Sequence, residues 1–222
     1  DNSTIGGGNT NEASGNGSTI SGGISNEASG DTSAIGGGKN NIANALRSSV
    51  GSGYDNEASG QDSTIGGGGN NTTSGESSTI AGGIYNTASG YYSTVSGGEQ
   101  NSASGVQSTI GGGLSNTASG EYSTVSGGQN NNVSGQNSTI GGGDGNISDY
   151  ADSTIGGGQN NKASGYLYGQ STVGGGVNNT ASGDRGTVSG GYGNTASGEY
   201  GSTIGGGYTN TVSSNYATIG GG

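Results

Sequence analysis

The sequence predicts an all-β chain, a parallel β-solenoid of about fourteen 15-residue coils with two short strands in each coil. Three observations carry that expectation. The first is a fixed period: Ile or Val stands at eleven positions from Ile5 to Ile155 at one 15-residue interval, then returns as Val173, Val188, Ile204 and Ile219. A unit this short cannot bury an apolar face alone, so copies must stack. The second is composition. Of 222 residues, 57 are Gly and only 24% are hydrophobic, too little for a conventional globular core, and a strict period argues against the disorder that such a composition would otherwise imply. The third is the alternation inside each repeat. Proline, which cannot donate to a backbone ladder, is absent throughout.

Each unit has two similar halves, as in Asn11-Glu12-Ala13-Ser14-Gly15 followed by Ser18-Thr19-Ile20-Ser21-Gly22-Gly23. Each half reads as a five-residue strand of period 2 ending in a Gly-rich corner. In the first half Asn11, Ala13 and Gly15 are expected to face inward; in the second, Ser18, Ile20 and Gly22. The Asn slot is filled by Asn in all fourteen units, from Asn11 to Asn210, and stacked amides there would hydrogen-bond from coil to coil or cap the turn backbone. Two faces joined by tight corners predict a flattened, two-sided coil.

The last residue of the glycine corner is Gly in every repeat, from Gly8 to Gly222, which calls for a positive φ or a backbone approach that a Cβ would block. Changes in repeat length are few. Tyr166-Leu167-Tyr168-Gly169-Gln170 lengthens one unit to 18 residues, and Gly201 adds a single residue before Ile204. Both fall at the same corner, where a loop can bulge without disturbing strands. No domain boundary is visible, so residues 1–222 read as one repeat domain, and the start and end in mid-pattern read as a segment of a longer protein.

Composition narrows the function. Four basic residues against fifteen carboxylates make nucleic acid an unsuitable partner. No apolar run reaches membrane-spanning length, so membrane insertion by this segment is not expected. Without Cys or His there is neither a thiolate or imidazole metal site nor the usual nucleophile and base pair. Gly-rich strings occur without the helix that a dinucleotide site needs, and Asp31, Asp55, Asp62, Asp144, Asp149, Asp152 and Asp184 share no slot of a calcium-binding repeat. No enzyme activity, cofactor or metal is expected. Burying one Ile or Val per coil falls well short of the entropic cost of ordering fifteen backbones. Part of the balance is therefore expected from association with copies of the same chain, as a trimer or filament.

Two surface features are candidate interaction sites. One outward file is threonine at thirteen of fifteen slots: Thr4, Thr19, Thr64, Thr79, Thr94, Thr109, Thr124, Thr139, Thr154, Thr172, Thr187, Thr203 and Thr218, with Ala34 and Ser49 the exceptions. Beside it runs only Gly, Ser or Ala, giving a flat, uncharged strip. Three readings fit: β-propensity at an exposed strand position, a self-association face, or a water-ordering surface of the ice-binding kind. The second feature is a stripe at the corner after the glycines, where Ile24, Tyr54, Ile84 and Leu114 alternate with Asn9, Lys39, Gly69, Glu99 and Gln129. It reads either as a self-association line or as scattered surface apolar residues.

The text at residues 86–98, Asn-Thr-Ala-Ser-Gly-Tyr-Tyr-Ser-Thr-Val-Ser-Gly-Gly, and again from Asn116 to Gly128, resembles the head repeats of trimeric autotransporter adhesins and related bacterial fibre proteins. The resemblance covers essentially the whole chain. It implies a left-handed parallel β-roll, three chains side by side, display at the cell surface or outside the cell, and adhesion to extracellular matrix or a cell-surface ligand. Asn131-Asn132-Val133-Ser134-Gly135 and Asn210-Thr211-Val212-Ser213 are similar to the Asn-x-Val-x-Gly half-turns of grass-type ice-recrystallisation inhibitors, which implies that the threonine file is an ice face. The resulting expectation is a non-enzymatic extracellular structural or adhesive rod, with an ice-binding protein as the alternative.

Overall fold

A computed structural model of the chain describes residues 2–165 and 168–222. Tyr166 and Leu167, in the longest corner, lie outside the described residues. The described residues hold no helix. They form a parallel β-solenoid of about fourteen coils in two compact units, residues 1–113 and 114–222.

In the first unit one sheet runs from Thr4–Ile5 to Thr109–Ile110 and the other from Glu12–Ala13 to Ser102–Ala103. In the second unit the corresponding sheets run from Thr124–Val125 to Thr218–Ile219 and from Thr117–Ala118 to Thr211–Val212. Each strand is two residues long, shorter than the expected five, because the chain turns almost as soon as it has paired. Neighbouring coils pair in parallel with like residues side by side, Thr79 with Thr94 and Ile80 with Val95, for example. Register is kept across the 18-residue unit as well, where Thr154 pairs with Thr172.

The coil is not two-sided. The residue after the glycines forms a third, one-residue ladder, in which Ile24 pairs with Lys39, Lys39 with Tyr54, Tyr54 with Gly69, and Gly69 with Ile84. Two further positions per coil take left-handed backbone, in most coils without being glycine, such as Tyr85 at φ 59° and Tyr92 at φ 56°. The conformation aims each amide at the preceding coil: Tyr85 N–H donates to the carbonyl of Gly69 at 3.0 Å and Tyr92 N–H to that of Glu76 at 2.9 Å. Stacking thus holds these residues in a region that costs an isolated side chain about 1–2 kcal/mol.

Inside, the Ile/Val file and the Ala file are closed within the single chain; Ile65, Ala88, Val125 and Ala181 are each 0% exposed. The asparagine file does both things expected of it. Asn131 Nδ2 donates to the carbonyl of Gly127 in its own coil at 3.0 Å and to Gly143 of the next coil at 2.9 Å, while its Oδ1 accepts the backbone N–H of Asn146 at 3.0 Å. The third glycine needs Gly for both expected reasons. At Gly128 φ is 91°, and a Cβ would overlap the carbonyl oxygen of Gly143 and lie 2.7 Å from Asn131 Nδ2.

The middle glycine departs from expectation. A Cβ at Gly7, Gly22 or Gly127 would meet nothing within 4 Å, so this position does not fill the interior, and Ser52 occupies it exposed. The chain is already turning there, and strict alternation ends one residue earlier than the sequence pattern implies.

Candidate functional site

The threonine strip is built by the Thr–Ile strands. Their inward residue is fixed by the core, and the pleat turns the preceding residue outward. Backbone ladders lock each coil to the next: Thr124 N–H donates to the carbonyl of Ser138 and Thr4 N–H to that of Ser18, both at 2.9 Å. Every threonine of the file is half-buried or exposed, none buried. Threonine is stiff at χ1, so its hydroxyl and methyl groups are presented in a restricted set of positions at the strand spacing of about 4.8 Å. The neighbouring outward slot is Gly, Ser or Ala, as at Gly66, Ser96 and Ala81, and carries no charge. The strip is interrupted at Ala34–Ile35 and Ser49–Val50 and unbroken from Thr64 onward within each unit.

The opposite sheet provides an internal control. Its outward file sits on two-residue parallel strands of the same kind, with the same range of exposure. In the first unit it reads Glu12, Glu27, Ile42, Glu57, Thr72, Thr87 and Ser102; in the second Thr117, Asn132, Ile147, Lys162, Thr180, Thr195 and Thr211. Six residue types, three of them charged or amide, share one backbone environment. This face also carries an ion pair, Lys162 Nζ to Asp149 Oδ2 at 3.1 Å.

The corner stripe is only partly as expected. Ile24, Tyr54 and Ile84 are 48%, 45% and 40% exposed, but Leu114 is half-buried. In the second unit the alternation gives way to Gln129, Asp144 and Gln159, and then to Val177, Tyr192 and Tyr208 on successive rungs. Tyr192 and Tyr208 stack, with ring centroids 5.1 Å apart and planes 9° from parallel. Sequence reading missed this pair because it followed alternate coils rather than consecutive ones.

The other corner is polar. Arg47 makes a bidentate pair with Asp62 one coil on, Nη2 to Oδ2 at 2.7 Å, which raises the guanidinium pKa and lowers the carboxyl below its usual range. Tyr91 packs edge-on against Tyr92, with centroids 4.2 Å apart, and the hydroxyl contact between them with partial desolvation pushes Tyr91 up to about 12. Asn137 Nδ2 donates to Oδ1 of Asp152, at the same position of the next coil, at 3.1 Å. The Arg47–Asp62 and Asn137–Asp152 contacts zip neighbouring coils together. Among the described residues there is no pocket and no convergence of three acidic side chains that could hold a metal ion.

Two family models match the chain. The grass antifreeze beta roll matches residues 44–142, and the ubiquitous surface protein adhesin repeat matches residues 18–30. No curated protein matches it. The chain is thus similar both to an antifreeze β-roll, over a stretch that includes the start of the unbroken threonine strip, and to an adhesin repeat, over a single coil ahead of it.

Proposed function

We propose that this β-roll is a non-enzymatic protein working outside the cell, and that its threonine sheet is an ice-binding face. The observation that supports this reading is the contrast between the two outward files. β-Propensity acts on both sheets alike, yet only one is held to threonine and kept free of charge. A rigid, flat array of hydroxyl and methyl groups holds a layer of water in fixed positions with little loss of side-chain freedom on contact. Charged side chains would pull that layer out of register, and none lies on the strip. The match to the antifreeze beta roll over residues 44–142 supports the same face.

A second reading, an adhesive surface rod that binds an extracellular matrix or cell-surface ligand, is favoured by the adhesin repeat at residues 18–30. The opposite sheet presents Glu27 within that stretch and Glu12 and Glu57 on either side of it, and the threonine strip is interrupted just beyond it, at Ala34.

Ice-recrystallisation assays separate the two. The native chain is expected to inhibit recrystallisation; Thr109→Tyr, which raises a ring from the strip, abolishes the inhibition, and Thr87→Tyr on the opposite sheet preserves it. A native chain without effect on ice ends the first reading and leaves the second, for which binding to immobilised matrix proteins is the measurement.

A further inference from the structure

We infer that the one-residue ladder of the first unit is an interface for a second copy of the chain, laid antiparallel about a two-fold axis at Gly69. The rungs read Ile24, Lys39, Tyr54, Gly69, Ile84 and Glu99 in consecutive parallel bridges, spaced by about 4.8 Å. Counting outward from Gly69, the first neighbours are Tyr54 and Ile84, both exposed and apolar. The second neighbours are Lys39 and Glu99, of opposite charge, both exposed, and joined to no other charge by an ion pair among the described residues.

A two-fold axis in the contact plane, perpendicular to the ladder, reverses the order of rungs and keeps each file opposite itself. It sets Lys39 of one copy against Glu99 of the other, twice, and Tyr54 against Ile84, twice. Isologous contacts of this kind need self-complementarity, which a parallel pairing in register lacks because it opposes Lys39 to Lys39 and Glu99 to Glu99. Gly69, at the axis, is buried beneath the ring of Tyr54, so the apolar surface is continuous across the axis and the two Tyr54 rings meet each other there.

The neighbouring left-handed file obeys the same symmetry. Asp55 and Tyr85 flank Asn70, so a carboxylate of one copy faces a phenol hydroxyl of the other, which can donate to it. The ridge is narrow, and its contact area falls short of the roughly 800 Å² per partner of a standard stable complex. The association is therefore weak, and it is independent of the threonine strip.

Sedimentation equilibrium on the full chain tests the inference. A monomer–dimer equilibrium that weakens with salt is expected. Lys39→Glu and Glu99→Lys should each raise the dissociation constant by about tenfold or more, because each opposes like charges. The double variant Lys39→Glu/Glu99→Lys should restore the native value. The chain has no cysteine, so introduced thiols report geometry without background. Asn70→Cys, next to the axis, should give an oxidised dimer and Asn40→Cys alone should not. A chain that stays monomeric up to about 1 mM, a double variant that fails to recover, or Asn40→Cys linking to itself as readily as Asn70→Cys would each overturn the proposal.

Discussion

The two sheets of each coil share strand length, parallel register and fractional exposure, and they differ in what they carry outside. On their inner sides both are constrained, with Ile or Val on one and, on the other, an invariant Asn beside a small slot that is Ala in ten of fourteen coils. On their outer sides one is almost all threonine and the other holds Glu, Ile, Thr, Ser, Asn and Lys. Strictness inside follows from packing and from buried hydrogen bonds, which act wherever a side chain lacks water. Strictness outside has no such cause. The variable sheet shows what the backbone tolerates, and the uniform one therefore carries a demand from outside the fold.

The sharpest test of the inside rule uses two adjacent glycines. Gly128→Ala places a Cβ against the Gly143 carbonyl at positive φ and should cost roughly 3–5 kcal/mol, whereas Gly127→Ala, whose Cβ meets open space, should stay within about 0.5 kcal/mol. Denaturant unfolding of the two variants compares them directly.

Next come Asn131 and Asn132, adjacent residues of which the first is buried and the second exposed. Asn131→Ala removes the partner of the Gly127 and Gly143 carbonyls and of the Asn146 amide, and should cost about 3 kcal/mol. Asn132→Ala, outward and exposed, should change stability by about 0.5 kcal/mol or less. Equal losses would mean that the asparagine ladder adds nothing beyond strand propensity.

The outside rule is tested by charge. Thr139→Glu and Asn132→Glu should both leave the thermal midpoint nearly unchanged, and only Thr139→Glu should remove activity on ice.

The smallest expected effect is at the polar corner. Because its partnership with Arg47 lowers the pKa of Asp62 in the folded chain, the pair stabilises above the ordinary carboxyl pKa of 3.8 and its contribution is lost as pH falls through the lowered folded value. Both side chains are exposed, so the effect is slight. Melting curves of the native chain and Asp62→Asn should differ a little near neutrality and converge in acid. In alkali the sign is opposite: Tyr91, raised from the ordinary 10.0 to about 12, favours the folded chain at lower pH, and an ultraviolet titration of native against Tyr91→Phe should show the missing phenol as one that ionises above the ordinary range.

Much of this architecture is legible in the text. The 15-residue recurrence of Ile or Val fixes the coil, the invariant Asn slot marks the ladder, and the last corner glycine, from Gly8 onward, marks its tightest point. The outward threonines follow from their place beside Ile. The left-handed corner residues were not foreseen, although their slots are rich in Asn, Asp and Gly, as at Asn40, Asp55, Asn70 and Gly145, the residues that tolerate that conformation best. Tyr85 and Tyr92, which do not, hid the pattern. The charge symmetry of Lys39 and Glu99 was equally invisible until the ladder placed both on one line.

The sequence by itself determined which side chains lie inside and which lie out, because alternation along a strand is local and repeats without change. It also determined the uniform threonine file. Only the tertiary structure decided where each strand stops, that a third ladder exists, and that the middle glycine of each corner lies outside the interior. Those features depend on hydrogen bonds and close approaches between residues about fifteen positions apart, and such contacts exist only once neighbouring coils are stacked.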